Sequence, residues 1–555
     1  MPHVVTQSCC SDASCVVACP VNCIHPAPGD PGFATAEMLY VDAATCVDCG
    51  ACATACPADA IVPHTTLTEA QQPFLALNAE YYQTFPHRDR APIALVHEQR
   101  RLRRPGPFRV AVVGAGPAGL YTADELLRHP EITVDVFDRL PTPYGLVRSG
   151  VAPDHPHTKQ VEQLFAQIEQ QPGFRYFLGV EVGKDLSLAE LTARYHAVVY
   201  TVGAASDRPL GVPGTDLPGS LSATDFVGWY NGHPDKQDLG VDLTHERVAI
   251  VGNGNVALDC ARILAEDPEA LARTDIADAP YAVLRDSAVR EVVILGRRGP
   301  AQAAFTVPEL VGLAGHDGIN IVVDTGDLPP EEALAGDDVK SRLLRELLDR
   351  PVDPARRTIV LRFLASPVEI VGEGRVSGVV VGRNRLEVDE SGVAGAVATG
   401  ETELLETGML LRAVGYRGLP VPDLPYDGDT GTVPNEAGRV RPGVYVAGWV
   451  KRGPTGFIGT NKSDAEETVD AILDDLDAGS VGEPAETTAR LRSVIRSRQP
   501  RMVDLAGWQA IDGEERRRGA AAGRPRVKIV DVDEMLRIAA DAGGPRYGRR
   551  RTERT

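Results

Sequence analysis

The stretch "CVDCGACATACP", residues 46–57, places four cysteines in twelve residues and closes on Cys-Pro. No other feature constrains the fold as much. A segment this rich in thiols and this poor in apolar periodicity cannot bury a core unaided, so it must be built around something else. Nine of the ten cysteines lie at or before Cys56, and only Cys260 lies beyond. A disulfide framework would spread its cysteines through the mass it staples; crowding at one end points to a small metal-built unit. The N-terminal "MPHVVTQSCC" lacks the basic region and apolar stretch of a signal peptide. No apolar run approaches the roughly 20 residues that a membrane helix needs. The chain is therefore expected to be cytoplasmic, with no membrane insertion.

Cys46, Cys49, Cys52 and Cys56-Pro57 give C-x2-C-x2-C-x3-C-P. In this run three thiolates hold one iron–sulfur cube while the fourth reaches across to another cluster. A structural zinc site would want four ligands, usually as two C-x2-C pairs. Upstream, "SCVVACPVNCI" reads as a looser copy, so residues 1–66 look like an internal duplication. The first copy runs Cys9-x5-Cys15-x3-Cys19-Pro20 and lacks the middle cysteine. Cross-ligation assigns Cys19, Cys46, Cys49 and Cys52 to a [4Fe-4S] cluster. It leaves Cys9, Cys15 and Cys56 for a second cluster, either [3Fe-4S] or [4Fe-4S] with an outside ligand. Cys10 could substitute for Cys9, and Cys23 reads as a packed thiol. These segments resemble the seven-iron bacterial ferredoxins, which carry one cluster of each kind. The first two cysteines are closer together here than that family usually shows.

Residues 67–107 read as a linker ending in the basic run "EQRRLRRPGP", taken as a solvated connector rather than a docking patch. From Phe108 short apolar strands alternate with helical segments, the pattern of open parallel sheets. Two glycine-rich turns imply two nucleotide-binding sheets, one inserted into the other. The expected division is 108–245 for the first part of one sheet domain, 246–410 for the inserted domain and 411–480 for the return. Residues 481–555 read as a partly flexible or peripheral extension with one amphipathic helix, "DVDEMLRIAADA", and a basic end, "RYGRRRTERT". The net charge of −20 argues against nucleic acid as a partner.

The first turn follows the strand "RVAVV" and opens a helix. Gly114 permits the tight turn, Gly116 lets a pyrophosphate approach, and Gly119 lets helix and strand pack closely. Asp138, at the end of "VDVFD", would accept ribose hydroxyls and repel a 2′-phosphate, so the site suits FAD or NAD. The second turn, Gly252-Asn253-Gly254-Asn255-Val256-Ala257, has alanine for the third glycine. Its next strand ends "VVILGRRGP", with Arg297 and Arg298 where the acid would stand. Two guanidinium groups there favour a 2′-phosphate, hence NADP(H).

The motifs "VVGAGPAGLYTA", "PTPYGLVRSGVAPDHP", "GNGNVALDCARIL", "GRRGPAQAAFTVPEL" and "YVAGWVKRGPTGFIGTNKSDA" span residues 108 to about 475. They are similar to the adrenodoxin-reductase-type ferredoxin–NADP reductases, a branch of the glutathione-reductase-like flavoproteins. The resemblance implies an α/β flavoprotein with two dinucleotide-binding domains and parallel sheets, preceded here by an α+β ferredoxin domain. Carried over by motif, it implies FAD contacts at Ala118, Asp138, Leu146, Val182 and Trp449 and at the backbone of Gly456, Phe457 and Ile458. It implies NADP contacts at Asn253, Gly254, Asn255, Val256, Arg297, Arg298, Glu309 and Gly456. His155 and Asp207 resemble a pair near the flavin ring; hydride transfer needs alignment more than acid–base help, so neither is expected to be essential.

Disulfide reductases of the superfamily need a C-x2-C beside the flavin, and none exists after Cys56. Two alternatives stand beside the main reading: an electron-input module like glutamate-synthase small subunits, whose cysteine unit has different spacing, and a non-enzymatic redox sensor. The expected activity is that of a ferredoxin–NADP reductase with its own ferredoxin domain. It would serve a separate ferredoxin or a haem monooxygenase.

Overall fold

The structure, a computed structural model, describes residues 2–87, 91, 93–94, 99–326, 334–390, 392 and 394–542. The basic end "RYGRRRTERT" lies outside the described residues.

The N-terminal unit is built from two antiparallel strand pairs, His3–Val5 with Ile61–Pro63 and Ile24–His25 with Tyr40–Val41. Two five-residue helices, Ser14–Ala18 and Ala51–Ala55, follow its cysteine loops. The stretch expected as a linker instead contains a twelve-residue helix, Pro73–Thr84, packed on this unit. Asn78, at 3% exposure, explains the docking. Its Oδ1 accepts from the Val5 and Val41 amides at 3.3 and 2.9 Å, and its Nδ2 donates to the Val5 and Phe74 carbonyls. One buried amide thus satisfies edge groups of both strand pairs. The basic run is not a free connector either. Arg100 pairs with Asp474 at 2.8 Å and Asp477 at 3.2 Å, and Arg104 donates to the Leu476 carbonyl. Its guanidinium lies at the C-terminal end of helix Thr460–Ala478, where a cation is favoured.

Two six-stranded sheets carry the rest. The first runs Arg439–Arg441, Val444–Val446, Ala197–Tyr200, Phe108–Val113, Ile132–Asp138, Phe174–Leu178, parallel except at its first pair. The second is wholly parallel, in the order Ser220–Ser222, Met409–Arg412, Arg247–Val251, Glu291–Leu295, Thr358–Arg362, Asn320–Asp324. It is inserted between strands of the first, as the two glycine-rich turns imply. The boundaries at 246 and 411 shift, because Ser220–Ser222 and all of Met409–Arg412 belong to the inserted sheet. A three-stranded antiparallel sheet spanning Ala365–Glu406 flanks it. Central strands are buried on both faces, and the apolar cluster of the inserted domain is continuous with that of the N-terminal unit.

The C-terminal segment is structural rather than peripheral up to residue 542. Asp504 caps helix Leu505–Ala521 by accepting from the Gly507 amide, and Trp508, 1% exposed, stands edge-on to Tyr144 at 5.4 Å. Glu515, with no exposed surface, takes both Arg148 nitrogens at 2.9 and 2.5 Å. The helix therefore clamps the "PTPYGLVRSG" segment from behind. The amphipathic helix expected near the end is Val532–Ala542. No helix among the described residues is long and apolar enough to cross a membrane.

Candidate functional site

The first glycine-rich turn shows why it needs glycine. Gly114 has φ 113°, and a Cβ there would sit 2.6 Å from the Thr201 carbonyl oxygen. A Cβ on Gly119 would sit 1.9 Å from the Gly114 oxygen. Gly116 ends the turn, with Pro117 first in helix Pro117–Leu127, whose free amides face the turn. Asp138 stands at the turn: its Oδ2 accepts the Ala115 amide at 2.8 Å and its Oδ1 the Leu140 amide at 2.9 Å. The turn is roofed. A Cβ on Gly145, beside Leu146, would lie 3.0 Å from the Gly116 Cα, and one on Gly448 would lie 2.5 Å from the Ala118 Cβ. Trp449 follows Gly448, donates from Nε1 to the Thr455 carbonyl at 3.1 Å, and has Tyr416 5.1 Å away. Gly456 has φ 79°, Phe457 donates its amide to Thr460 Oγ1, and Ile458 packs on the core beneath. Val182 packs against the apolar cluster on one face of the same sheet.

The second turn opens helix Asn255–Ala265 through Gly254. Gly252 has φ 104° and backs onto the Ala413 oxygen. Ala257 is fully buried where the first turn has its third glycine. Asn253 and Asn255 brace the turn against residues 304–306: Asn255 Oδ1 accepts the Thr306 amide at 2.8 Å, and Asn253 Oδ1 the Ala304 amide at 3.4 Å. Val256 packs on the core. Arg297 is exposed and Arg298 half-buried at the end of the next strand. Their carbonyls are held by Asn384 and the Leu364 amide.

His155, Asp259 and Glu309 converge, with ligand atoms within 4.8 Å of one another. Arg262 already supplies a cation there. Its guanidinium pairs with Asp154 and with Asp259 at 2.7 Å, and lies 2.7 Å from His155 Nε2. Because the guanidinium only donates, that ring nitrogen accepts and the His155 proton sits on Nδ1. Asp154 is held low, to about 2, by Arg262 against the cost of burial. Glu309 is pushed up by burial and then by Asp259. Asp207 takes Arg412 as partner at 3.6 Å, on the strand pair with Tyr416. Among the described residues no hydrogen bond joins it to His155.

The cysteines form two groups. Cys19, Cys46, Cys49 and Cys52 line one cavity, with Cys49 exposed and Val47 59% exposed beside it. Cys23 also lines it, 3.4 Å from Cys19. Cys9, Cys15 and Cys56 form the other. Burial first, then each other's charge, pushes Cys9 up to about 11 and Cys15 well above the ordinary thiol range. Buried thiols that repel one another as anions fit a cationic iron–sulfur core, which relieves both penalties. Cys260 is fully buried in the inserted domain's core.

The N-terminal unit lies against both nucleotide domains. The Cys10 carbonyl accepts the Gly459 amide at 2.7 Å, and Lys462 reaches Ser14 Oγ at 3.0 Å and Asp12 at 3.6 Å. Gln7 donates to Glu309 at 2.9 Å, and Glu37 accepts the Val307 amide at 2.8 Å at the start of helix Val307–Ala314. Gln7, Asp12, Glu37, Arg262 and Lys462 escaped the sequence reading because their roles exist only across domain contacts.

Residues 108–293 match the family described as pyridine nucleotide-disulphide oxidoreductase, and residues 39–62 match the 4Fe-4S binding domain. A Mycobacterium tuberculosis protein named "Probable ferredoxin/ferredoxin--NADP reductase" is 51% identical over 98% of this chain and 96% of its own length. The Mycobacterium leprae protein of that name is 48% identical over 98% of both. The solved Mycobacterium tuberculosis FprA in complex with NADPH superposes with a TM-score of 0.74 at 47% identity, covering 79% of this chain and all of that one. With both cysteine groups and both turns in place along nearly the whole shared length, the chain belongs to the ferredoxin/ferredoxin–NADP reductases, flavin-dependent oxidoreductases fused to an iron–sulfur domain.

Proposed function

We propose that this chain exchanges electrons with NADP(H) at the second turn and with a separate ferredoxin, or a haem monooxygenase, at the exposed edge of its N-terminal unit. FAD occupies the first turn, under the roof of Gly145 and Gly448. Bound flavin supplies the conversion between a hydride and single electrons, and bound clusters supply single-electron storage. The remaining work belongs to the chain. Asp138 receives the flavin ribose; Asn253 and Asn255 fix the turn that receives the NADP pyrophosphate; Arg297 and Arg298 receive the 2′-phosphate. Gly456, without a side chain, leaves room for both rings. His155, with Nε2 engaged by Arg262, and Asp207, paired with Arg412, position the ring pocket rather than move protons. Cys19, Cys46, Cys49 and Cys52 hold a [4Fe-4S] cluster, and Cys9, Cys15 and Cys56 hold a second. A reducing compartment, the cytoplasm, suits these thiols.

One observation carries this reading. The flavin-side segment at Gly456–Gly459 is hydrogen-bonded to the loop of the second cysteine group through Cys10 and Gly459. The other group opens to solvent at Cys49. The test is anaerobic addition of NADPH to the full chain. Its yellow colour should bleach, and paramagnetic cluster signals should develop at low temperature. A protein that bleaches but whose clusters never respond would break the link between the two halves. Protein containing zinc and no iron would overturn the cluster assignment.

A further inference from the structure

Helix Val307–Ala314 of the inserted domain is held along its length by the N-terminal unit. At its start the Glu37 carboxylate accepts the Val307 amide at 2.8 Å, a cap that the side chain of Thr306, at the N-cap position, does not supply. Two residues on, Gln7 donates from Nε2 to Glu309 Oε2 at 2.9 Å. Three residues further, a Cβ on Gly312 would sit 2.3 Å from both the nitrogen and the oxygen of the Gln7 amide. Just past the end, a Cβ on Gly315 would sit 2.8 Å from the Ala70 Cβ. Glycine inside a helix is unfavourable. At position 312 the missing side chain is the room in which Gln7 lies. The same helix continues directly from the second turn's brace. Asn255 Oδ1 accepts the Thr306 amide at 2.8 Å, and Asn255 Nδ2 donates to the Thr306 hydroxyl at 3.2 Å.

We propose that Gln7 and Glu37 are positioning residues of the NADP(H) site, supplied to it by the N-terminal unit. The inference rests on the reading of the second turn as that site. Asn253 and Asn255 can fix the turn only if the segment they brace against, residues 304–306, is itself fixed. That segment runs straight into an eight-residue helix, too short to hold its place by its own hydrogen bonds. Glu37 secures the helix start, and Gln7 secures its first full turn. An amide nitrogen donates and cannot accept, so the Gln7 bond fixes one Glu309 oxygen, in the group that Glu309 forms with Asp259 and His155. On its other flank the unit is tied to the flavin-side segment, by Gly459 to the Cys10 carbonyl and by Lys462 to Ser14. It is a strut between the two nucleotide domains. A site braced in this way has less ordering left to do when the nucleotide binds, and affinity rises for that reason.

The experiment follows anaerobic bleaching of the flavin in the full chain by stopped flow across a range of NADPH concentrations. It yields a half-saturating concentration and a limiting rate, and neither requires the cysteine cages to pass electrons onward. Gln7→Leu keeps the bulk of the side chain and removes the bond. It should raise the half-saturating NADPH concentration about 10-fold and leave the limiting rate near that of wild type. Gly312→Ala, made on the opposite side of the contact, should displace Gln7 and act in the same way. Glu37→Gln keeps an acceptor and loses the charge at the helix start, and should raise the concentration about 3-fold. Iron and flavin contents should match wild type in all three, which separates positioning from unfolding. An unchanged half-saturating concentration in Gln7→Leu and Gly312→Ala would overturn the proposal. So would a lowered limiting rate at unchanged half-saturation. If Gln7→Leu loses its iron, Gly312→Ala decides alone. A wild type that NADPH never bleaches would instead sink the reading of the second turn.

Discussion

The two glycine-rich turns start alike and are finished differently. Each places a left-handed glycine after a buried strand and opens an eleven-residue helix. The first is then covered by chain from far away, at Gly145 and Gly448, and the segment beneath is clamped by Arg148 and Glu515. At the second, a Cβ on Gly254 would meet nothing within 4 Å. The roofed turn suits a nucleotide that stays with the protein, and the open one suits a nucleotide that must enter and leave each cycle. Sequence motifs that look interchangeable thus become different sites, and the difference lies in what the rest of the chain lays over them.

The largest effect is expected at Gly119. Its Cβ would press on backbone that cannot yield, so Gly119→Ala should cost on the order of 3 kcal/mol and shed flavin on gel filtration. Retention of flavin and of the wild-type melting temperature would remove the roofed turn from the comparison. Next, Arg297→Ala with Arg298→Ala should lower kcat/KM for NADPH by about 100-fold, the loss of roughly 2–3 kcal/mol of charge-assisted hydrogen bonding, with NADH nearly unchanged. Equal losses for both nucleotides would mean that the open turn does not read the 2′-phosphate.

A smaller effect follows pH. Glu169 is buried, accepts from Tyr144 at 3.2 Å, and has its carboxyl pushed up to about 7 by burial. Between about pH 4.5 and 7 the unfolded chain has released this proton and the folded chain has kept it. Its stabilisation is therefore complete below about 4.5 and is lost as pH rises through 7. Denaturant titrations of wild type should show a loss of about 2 kcal/mol from pH 5 to 8, and Glu169→Gln should flatten that slope. Parallel slopes would exclude Glu169 as the source. The smallest change belongs to Gly254→Ala, whose cost to stability should stay below about 1 kcal/mol. The methyl group should instead act on nucleotide access, read as a raised KM for NADPH.

Much of this was legible in the chain because it is local. Glycine spacing, cysteine spacing and alternating apolar strands carry their meaning within a few residues. That was enough for the two sheets, the nested insertion, the cysteine run and the family resemblance. The family resemblance put His155 and Asp207 near the flavin ring, but it did not reveal that His155 stands with Arg262, Asp259 and Glu309. The helix Pro73–Thr84 read as linker because its one decisive residue, Asn78, bonds to strands far upstream. Glu515 fell within the stretch read as a peripheral extension, yet it is fully buried against Arg148. A charged residue reveals its partner only when the fold brings the partner to it.

By itself the sequence determined which groups the chain can hold. Thiolates at fixed spacing select iron and sulfide, and a missing or present Cβ decides where a pyrophosphate can lie. The tertiary structure decided where those groups face. It sets one cysteine loop against the flavin-side segment and leaves the other open to solvent, and it roofs one turn and not the other. Ligand identity follows from side-chain chemistry within a loop. Orientation depends on contacts between residues hundreds of positions apart, which no local pattern encodes.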